Sequence, residues 1–197
     1  SRGAIYDDVI EAYKGEEDKL TDEFALATIK RYCDTWTPYE KRILEAMCDV
    51  TGLEFRQNII DIYVAPFRWS FSDPMVIATK YGSNRAIEVI THEILHRLLT
   101  DNTRNDYRAD FVKKWRELFG NEHTKNTLVH IPVHALMQAI FEEYIGEPER
   151  IIRDKEMYKG YFDYEAAWDY VEKVGYKKII EQLRSAKYEQ PTEEQAI

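Results

Sequence analysis

Thr91-His92-Glu93-Ile94-Leu95-His96 is the stretch on which the reading of this chain turns. In an α-helix, residues four apart lie one above the other on a single face, so His92 and His96 can direct both imidazoles at one metal ion. Zinc accepts neutral imidazole nitrogen and keeps an open position for water at catalytic sites. Glu93 is rotated by roughly 100° from His92. That takes its carboxylate off the ligand face but leaves it within reach of a metal-bound water, the position of a general base. At average composition roughly one chain in a hundred of this length carries such a spacing by chance, so the flanks have to support it.

Apolar residues Ile87, Ile90, Ile94, Leu95, Leu98 and Leu99 recur around the motif at helical spacing and predict a buried helix. Two histidines and a glutamate on such a helix need partners, because an unpaired buried polar group is costly. Tyr81-Gly82-Ser83-Asn84 offers turn residues, with Ser83 or Asn84 as N-cap. Before it, Pro74 to Lys80 is β-branched and apolar enough to be a strand, and a sheet edge beside a metal can hold an extended peptide by main-chain hydrogen bonds.

A third protein ligand must come from elsewhere. Of the five histidines, His123 sits in a polar loop and reads as solvated, which leaves His130 and His134. Pro132 suits the first turn of a helix. That would place His134 inside the helix and His130 at or before its start, so His134 is preferred as the third ligand and His130 is the alternative. Glu142, eight residues past His134, ranks behind both, as one of several acids near a helix end. The histidine left over is a candidate for holding the oxyanion, with Tyr144 and Tyr107 unranked; Asp106 and Asp110 could orient a ligand histidine.

The 197 residues suffice for one domain, expected over 1–188, with a disordered tail at 189–197. A 44% hydrophobic and 32% charged composition without a long apolar run predicts a soluble protein with no membrane span. The net charge of −9, with scattered lysines and arginines, argues against a nucleic-acid partner. Cys33 and Cys48 read as small core residues, which points to a reducing, cytoplasmic compartment. No oligomeric state follows from the sequence.

Along the chain, helices are expected over 4–13 and 21–33. Another should start at Thr37-Pro38-Tyr39-Glu40, by N-cap, first-position proline and acidic third position, and run to about Val50. A strand is expected over Phe55 to Ala65, and Trp69, Phe71 and Pro74 form an aromatic loop that could line a substrate pocket. A helix over 104–119 ends at Gly120, and two more over 163–185 break at Gly175. The fold class is therefore α+β: predominantly helical, with a small sheet preceding the active-site helix.

At His92-Glu93-Ile94-Leu95-His96 the chain resembles the zincin metallopeptidases, over the motif helix and the strand before it. The resemblance implies a zincin-like domain, Zn²⁺ as cofactor on His92 and His96, and Glu93 as the residue that activates water to attack a peptide carbonyl. The substrate would be a peptide or protein. The alternative is a non-catalytic zinc-binding regulatory or binding protein retaining that fold. Arg97-Leu98-Leu99 lacks the glycine and third histidine of metzincins, and the acidic pattern of thermolysin-like enzymes is missing. The His130 and His134 segment looks more like the third-ligand helix of small zincin-like proteins of bacteria and phages.

Overall fold

The computed structural model describes residues 22–102 and 108–186. The expected helix over 4–13 and the tail from 189 fall outside the described residues. Helix α1 spans Asp22–Thr51, β1 Tyr63–Ala65, β2 Phe71–Ser72, β3 Met75–Ala78 and α2 Ser83–Asn102. Helix α3 spans Arg108–Phe119 and α4 Lys125–Ala139, which continues as a π-helical segment over Ile140–Ile145. Three shorter helices follow: α5 Glu149–Met157, α6 Phe162–Val174 and α7 Tyr176–Ser185. Mostly helical with one three-stranded sheet, the chain is α+β, as its periodicities predict.

Two expected helices fuse into α1. The start signal at Thr37-Pro38 is overridden because the apolar stripe of Tyr32, Trp36, Ile43, Met47 and Val50 runs unbroken into the core. Pro38 removes one backbone N–H from the helix. Thr37 does not cap: its hydroxyl donates back to the Cys33 carbonyl at 2.8 Å, as Thr35 does to Arg31 at 2.7 Å. Cys33 is exposed rather than in the core, and Cys48 is half-buried; both are free thiols. Fifteen positions apart on one helix, they are separated by about 22 Å at 1.5 Å per residue, too far to bridge.

The strand expected over Phe55 to Ala65 shortens to β1. Ile59 lies 78% exposed, so the alternation before Tyr63 has no second layer to bury against. Strand β3 is central and buried along its length, pairing parallel with β1 (Tyr63 opposite Val76) and antiparallel with β2 (Phe71 opposite Val76). The Tyr32 hydroxyl of α1 reaches the carbonyls of Ala78 and Tyr81 at 2.7 and 3.0 Å. This ties the turn between β3 and α2 to the long helix.

Helix α2 buries thirteen of its twenty residues, so almost every face meets protein. Three of its polar side chains, Glu88, Arg97 and Asn102, are held by neighbouring elements. Glu88, one turn before His92, is fully buried and accepts from Arg150 (3.3 Å) and Arg153 (2.9 Å) of α5. Arg97 donates to Gln57 Oε1 and Asp73 Oδ1, both at 3.0 Å, pinning the β2–β3 turn onto α2. Asn102 donates to the carbonyl of Glu54 at 2.9 Å. Helix α4 is the most enclosed element: Leu128, Ile131, Val133, Ala135, Leu136 and Met137 have no exposed surface, and α2, α6 and α7 pack around it. Among the described residues, no helix is long and apolar enough to cross a membrane.

Candidate metal centre

The start of α4 decides which histidine joins the motif. Thr124 is its N-cap, accepting the backbone N–H of Thr127 at 3.1 Å. The helix therefore begins two turns before Pro132, and His130 is as firmly helical as His134. A helix interior thus gives His134 no advantage over His130 as a fixed ligand. Pro132 is an interior, fully packed residue, not a first-turn one.

His92, His96 and His130 bring one ring nitrogen each to within 4.8 Å of the others. Nε2 of His92 and Nε2 of His96 are 3.1 Å apart. Two imidazole nitrogens sharing a tetrahedral zinc at 2.0–2.1 Å would stand about 3.3 Å apart, so the pair needs almost no adjustment to hold an ion. His130 Nδ1 donates to the carbonyl of Asn126 at 2.7 Å, since a carbonyl can only accept. That fixes the tautomer and leaves Nε2 with a free lone pair, the state of a metal-ligating histidine with an oriented ring. His92 Nδ1 is buried without a protein partner. A close set of neutral imidazoles inside a protein is unfavourable unless something polar lies between them, and the donor set fits zinc.

His134 takes a different place. It is fully buried, neither ring nitrogen has a hydrogen-bond partner, and its ring stacks on Trp168 at 4.3 Å. Its ring centre is 5.6 Å from that of His130 and 5.8 Å from that of His92, so it stands beside the trio, outside the ligand grouping. Trp168 is itself held by its Nε1–H donating to Asp154 at 3.2 Å. Glu142 is half-buried on the π-helical segment, where Gln138 donates to it at 2.9 Å, and is not grouped with the histidines. Tyr144 is exposed on the same segment. Tyr107 and Asp106 lie outside the described residues, as does the side chain of Asp110. His123 is not simply solvated: its ring packs edge-on against Tyr170 at 5.3 Å.

Glu93 is nine-tenths buried, and burial pushes its carboxyl up to about 8. Three tyrosines that the sequence did not single out surround it. Tyr164 packs its ring 4.0 Å from that of His130 and stacks on Tyr158 at 4.1 Å, and Tyr158 lies 6.1 Å from His92. Tyr81 follows β3, and burial pushes its phenol up to about 12, with the charge of Glu93 adding to the rise. Tyr158 and Tyr164 are raised by burial and by Glu93 as well. All three are protonated donors at neutral pH. Asp163 explains how Tyr164 arrives: its carboxylate accepts from Thr124 and Thr127 and so fastens the start of α6 to the start of α4. An open cleft of about 480 Å³, lined by Trp36, Leu44, Phe55, Ile60 and Ile94, borders α2 away from the histidines. Its lining has Glu40 as its single ionisable group, so it offers no comparable chemistry.

No known protein family, curated protein or solved structure matches the chain.

Burial also sets how the metal-free protein responds to pH. It drives His92, His96 and His134 well below 6.5, with neighbouring imidazoles adding to the shift, and lowers His130 to about 4. The unfolded chain takes up four protons near pH 6.5 that the fold refuses. The stability these groups contribute is present above pH 6.5 and lost as pH falls toward 4. Glu93, at about 8, and Asp154, raised by burial to about 7, act oppositely. The fold keeps their protons while the unfolded chain has released them, so their contribution falls as pH rises through 7 to 8. Four groups outweigh two below pH 6.5, and only the two act above it. The urea midpoint of metal-free protein is thus expected to peak near pH 6.5, with a shallower alkaline decline in Asp154→Asn. A midpoint still rising between pH 6.5 and 8 would contradict this account.

Proposed function

We propose that the protein is a zinc-dependent hydrolase of zincin-like type, and that peptide bonds are the bonds it cleaves. The observation that carries this reading is the convergence of His92, His96 and His130 beside Glu93, on two helices packed together. A zinc ion held by these imidazoles would supply Lewis acidity toward water and an amide carbonyl, and its charge would favour the ionised form of Glu93.

The chain's own residues supply the rest. Glu93 accepts the proton of the attacking water and delivers it to the departing amine nitrogen, as one group acting first as base and then as acid. The Asn126 carbonyl holds the His130 ring in one orientation. Tyr158 and Tyr164, kept protonated by burial, offer O–H donors on the Glu93 side of the cluster, where charge develops on the carbonyl oxygen. The enclosure that raises Glu93 also limits bulk water, which strengthens each of these interactions.

Elemental analysis of the purified chain tests this directly. We expect about one zinc per chain, and peptide hydrolysis that a chelator abolishes and zinc restores. A chain that takes up no zinc and is equally stable without it would overturn the proposal. One that binds zinc but cleaves no peptide would leave a zinc-holding binding protein.

A further inference from the structure

Two cations gather on one indole that connects to this centre through the rings of Tyr161 and Tyr158. Trp69, in the loop between β1 and β2, has the Lys80 ammonium 4.7 Å from its ring centre and the Arg68 guanidinium 5.5 Å from it. The Lys80 ammonium also lies 5.2 Å from the ring of Tyr81. Neither cation is paired with a carboxylate among the described residues, although the chain carries 36 acids against 27 lysines and arginines. Like charges held together repel, and the ammonium of Lys80 is lowered by burial and by Arg68. An arrangement of this kind favours an incoming anion.

The position is built. Ser70 Oγ accepts the backbone N–H of Ala78 at 3.1 Å, and Thr79 N–H donates to the Ala65 carbonyl at 3.0 Å, so the loop carrying Arg68 and Trp69 is fastened to the strand end that carries Lys80. An aromatic wall then leads inward. Trp69 meets Tyr161 edge-on at 5.1 Å, Tyr161 lies 6.4 Å from Tyr158, and Tyr158 reaches the ring of His92. On the other side, a single residue, Tyr81, stands between Lys80 and the surroundings of Glu93.

We propose that Arg68 and Lys80, gathered on Trp69, form a carboxylate-binding subsite that anchors a short acidic peptide at the mouth of the histidine centre. The guanidinium supplies a planar fork and the ammonium a point charge, while the aromatic wall covers the apolar part of the ligand. The anchored carboxylate is the free C-terminus of the peptide, with the bond to be cleaved a short distance upstream. This identification of the ligand rests on the hydrolase reading; the anion site itself does not.

Calorimetric titration separates the two. An N-acetylated tripeptide with a free C-terminus and its C-terminal amide are each titrated into metal-free wild type and into zinc-loaded Glu93→Gln, which leaves both peptides intact. The free acid is expected to bind about tenfold more tightly than the amide in both proteins, with the difference narrowing in high salt. In Arg68→Gln/Lys80→Gln, whose substituted side chains are exposed and whose fold is checked by circular dichroism, the difference should vanish. An amide carrying an internal aspartate is expected to bind no better than the plain amide, and binding as tight as that of the free acid would overturn the assignment to the C-terminus. Equal binding of acid and amide, no measurable binding of the acid, or a preference that survives the double substitution would overturn the proposal. If the preference survives only in the zinc-loaded protein, the carboxylate is on the metal; if it survives in the metal-free protein too, it is bound elsewhere. A preference that behaves as expected in a protein that cleaves no peptide would sink the hydrolase reading and leave the subsite standing.

Discussion

Glu93→Gln is expected to lower peptide hydrolysis by about a thousandfold, within the range that a general acid–base group contributes, while zinc content stays at the wild-type level. Glutamine fills the same buried volume but accepts no proton at neutral pH, and Glu93 is not among the three grouped ligands. The substitution carries a second readout that does not depend on turnover. Burial holds the Glu93 carboxyl at about 8 in the metal-free protein, so near that pH the fold works against its ionisation. A neutral amide removes that conflict, and metal-free Glu93→Gln should be at least as stable as wild type at pH 8. Activity within tenfold of wild type would remove Glu93 as the base. Loss of zinc along with activity would mean that the carboxylate supports the metal.

The motif was legible because its information is local. His92, Glu93 and His96 share two turns of one helix, and the stripe from Ile87 to Leu99 marks that helix as buried without reference to any other part of the chain. The strand before it, β3, was legible for the same reason. Other features depended on boundaries that local signals misplace. Thr37-Pro38 has the chemistry of a helix start, but the burial of Tyr32, Trp36 and Ile43 carries α1 through it. Pro132 likewise suggested a helix start, while the effective cap was Thr124, whose hydroxyl serves the N–H of Thr127 three residues on. That cap was the one signal in the sequence that could have placed His130 inside the helix. Tyr158 and Tyr164 left no local trace. They reach the site because Asp163 ties α6 to the start of α4 and because Arg150 and Arg153 anchor α5 on Glu88, contacts between residues dozens of positions apart.

The choice between His130 and His134 yields the sharpest pair of variants. His130→Ala should weaken zinc binding by at least about a hundredfold, more than the loss of an outer orienting partner usually costs, because it removes one of three donors and the only one from α4 in the grouping. His134→Ala should leave zinc affinity within about tenfold and instead cost about 2 kcal/mol of stability. It opens a cavity against the face of Trp168 in the most enclosed helix of the fold, although deleting two unpartnered ring nitrogens offsets part of that loss. Competition with a chromophoric chelator reads the first quantity and urea unfolding of the metal-free proteins reads the second, so the two effects cannot be mistaken for one another. The reverse pattern, zinc lost with His134→Ala and kept with His130→Ala, would require the His134 ring to leave Trp168 when metal binds. It would make His134 the third ligand and leave His130, its ring held by the Asn126 carbonyl, as the candidate for holding the oxyanion.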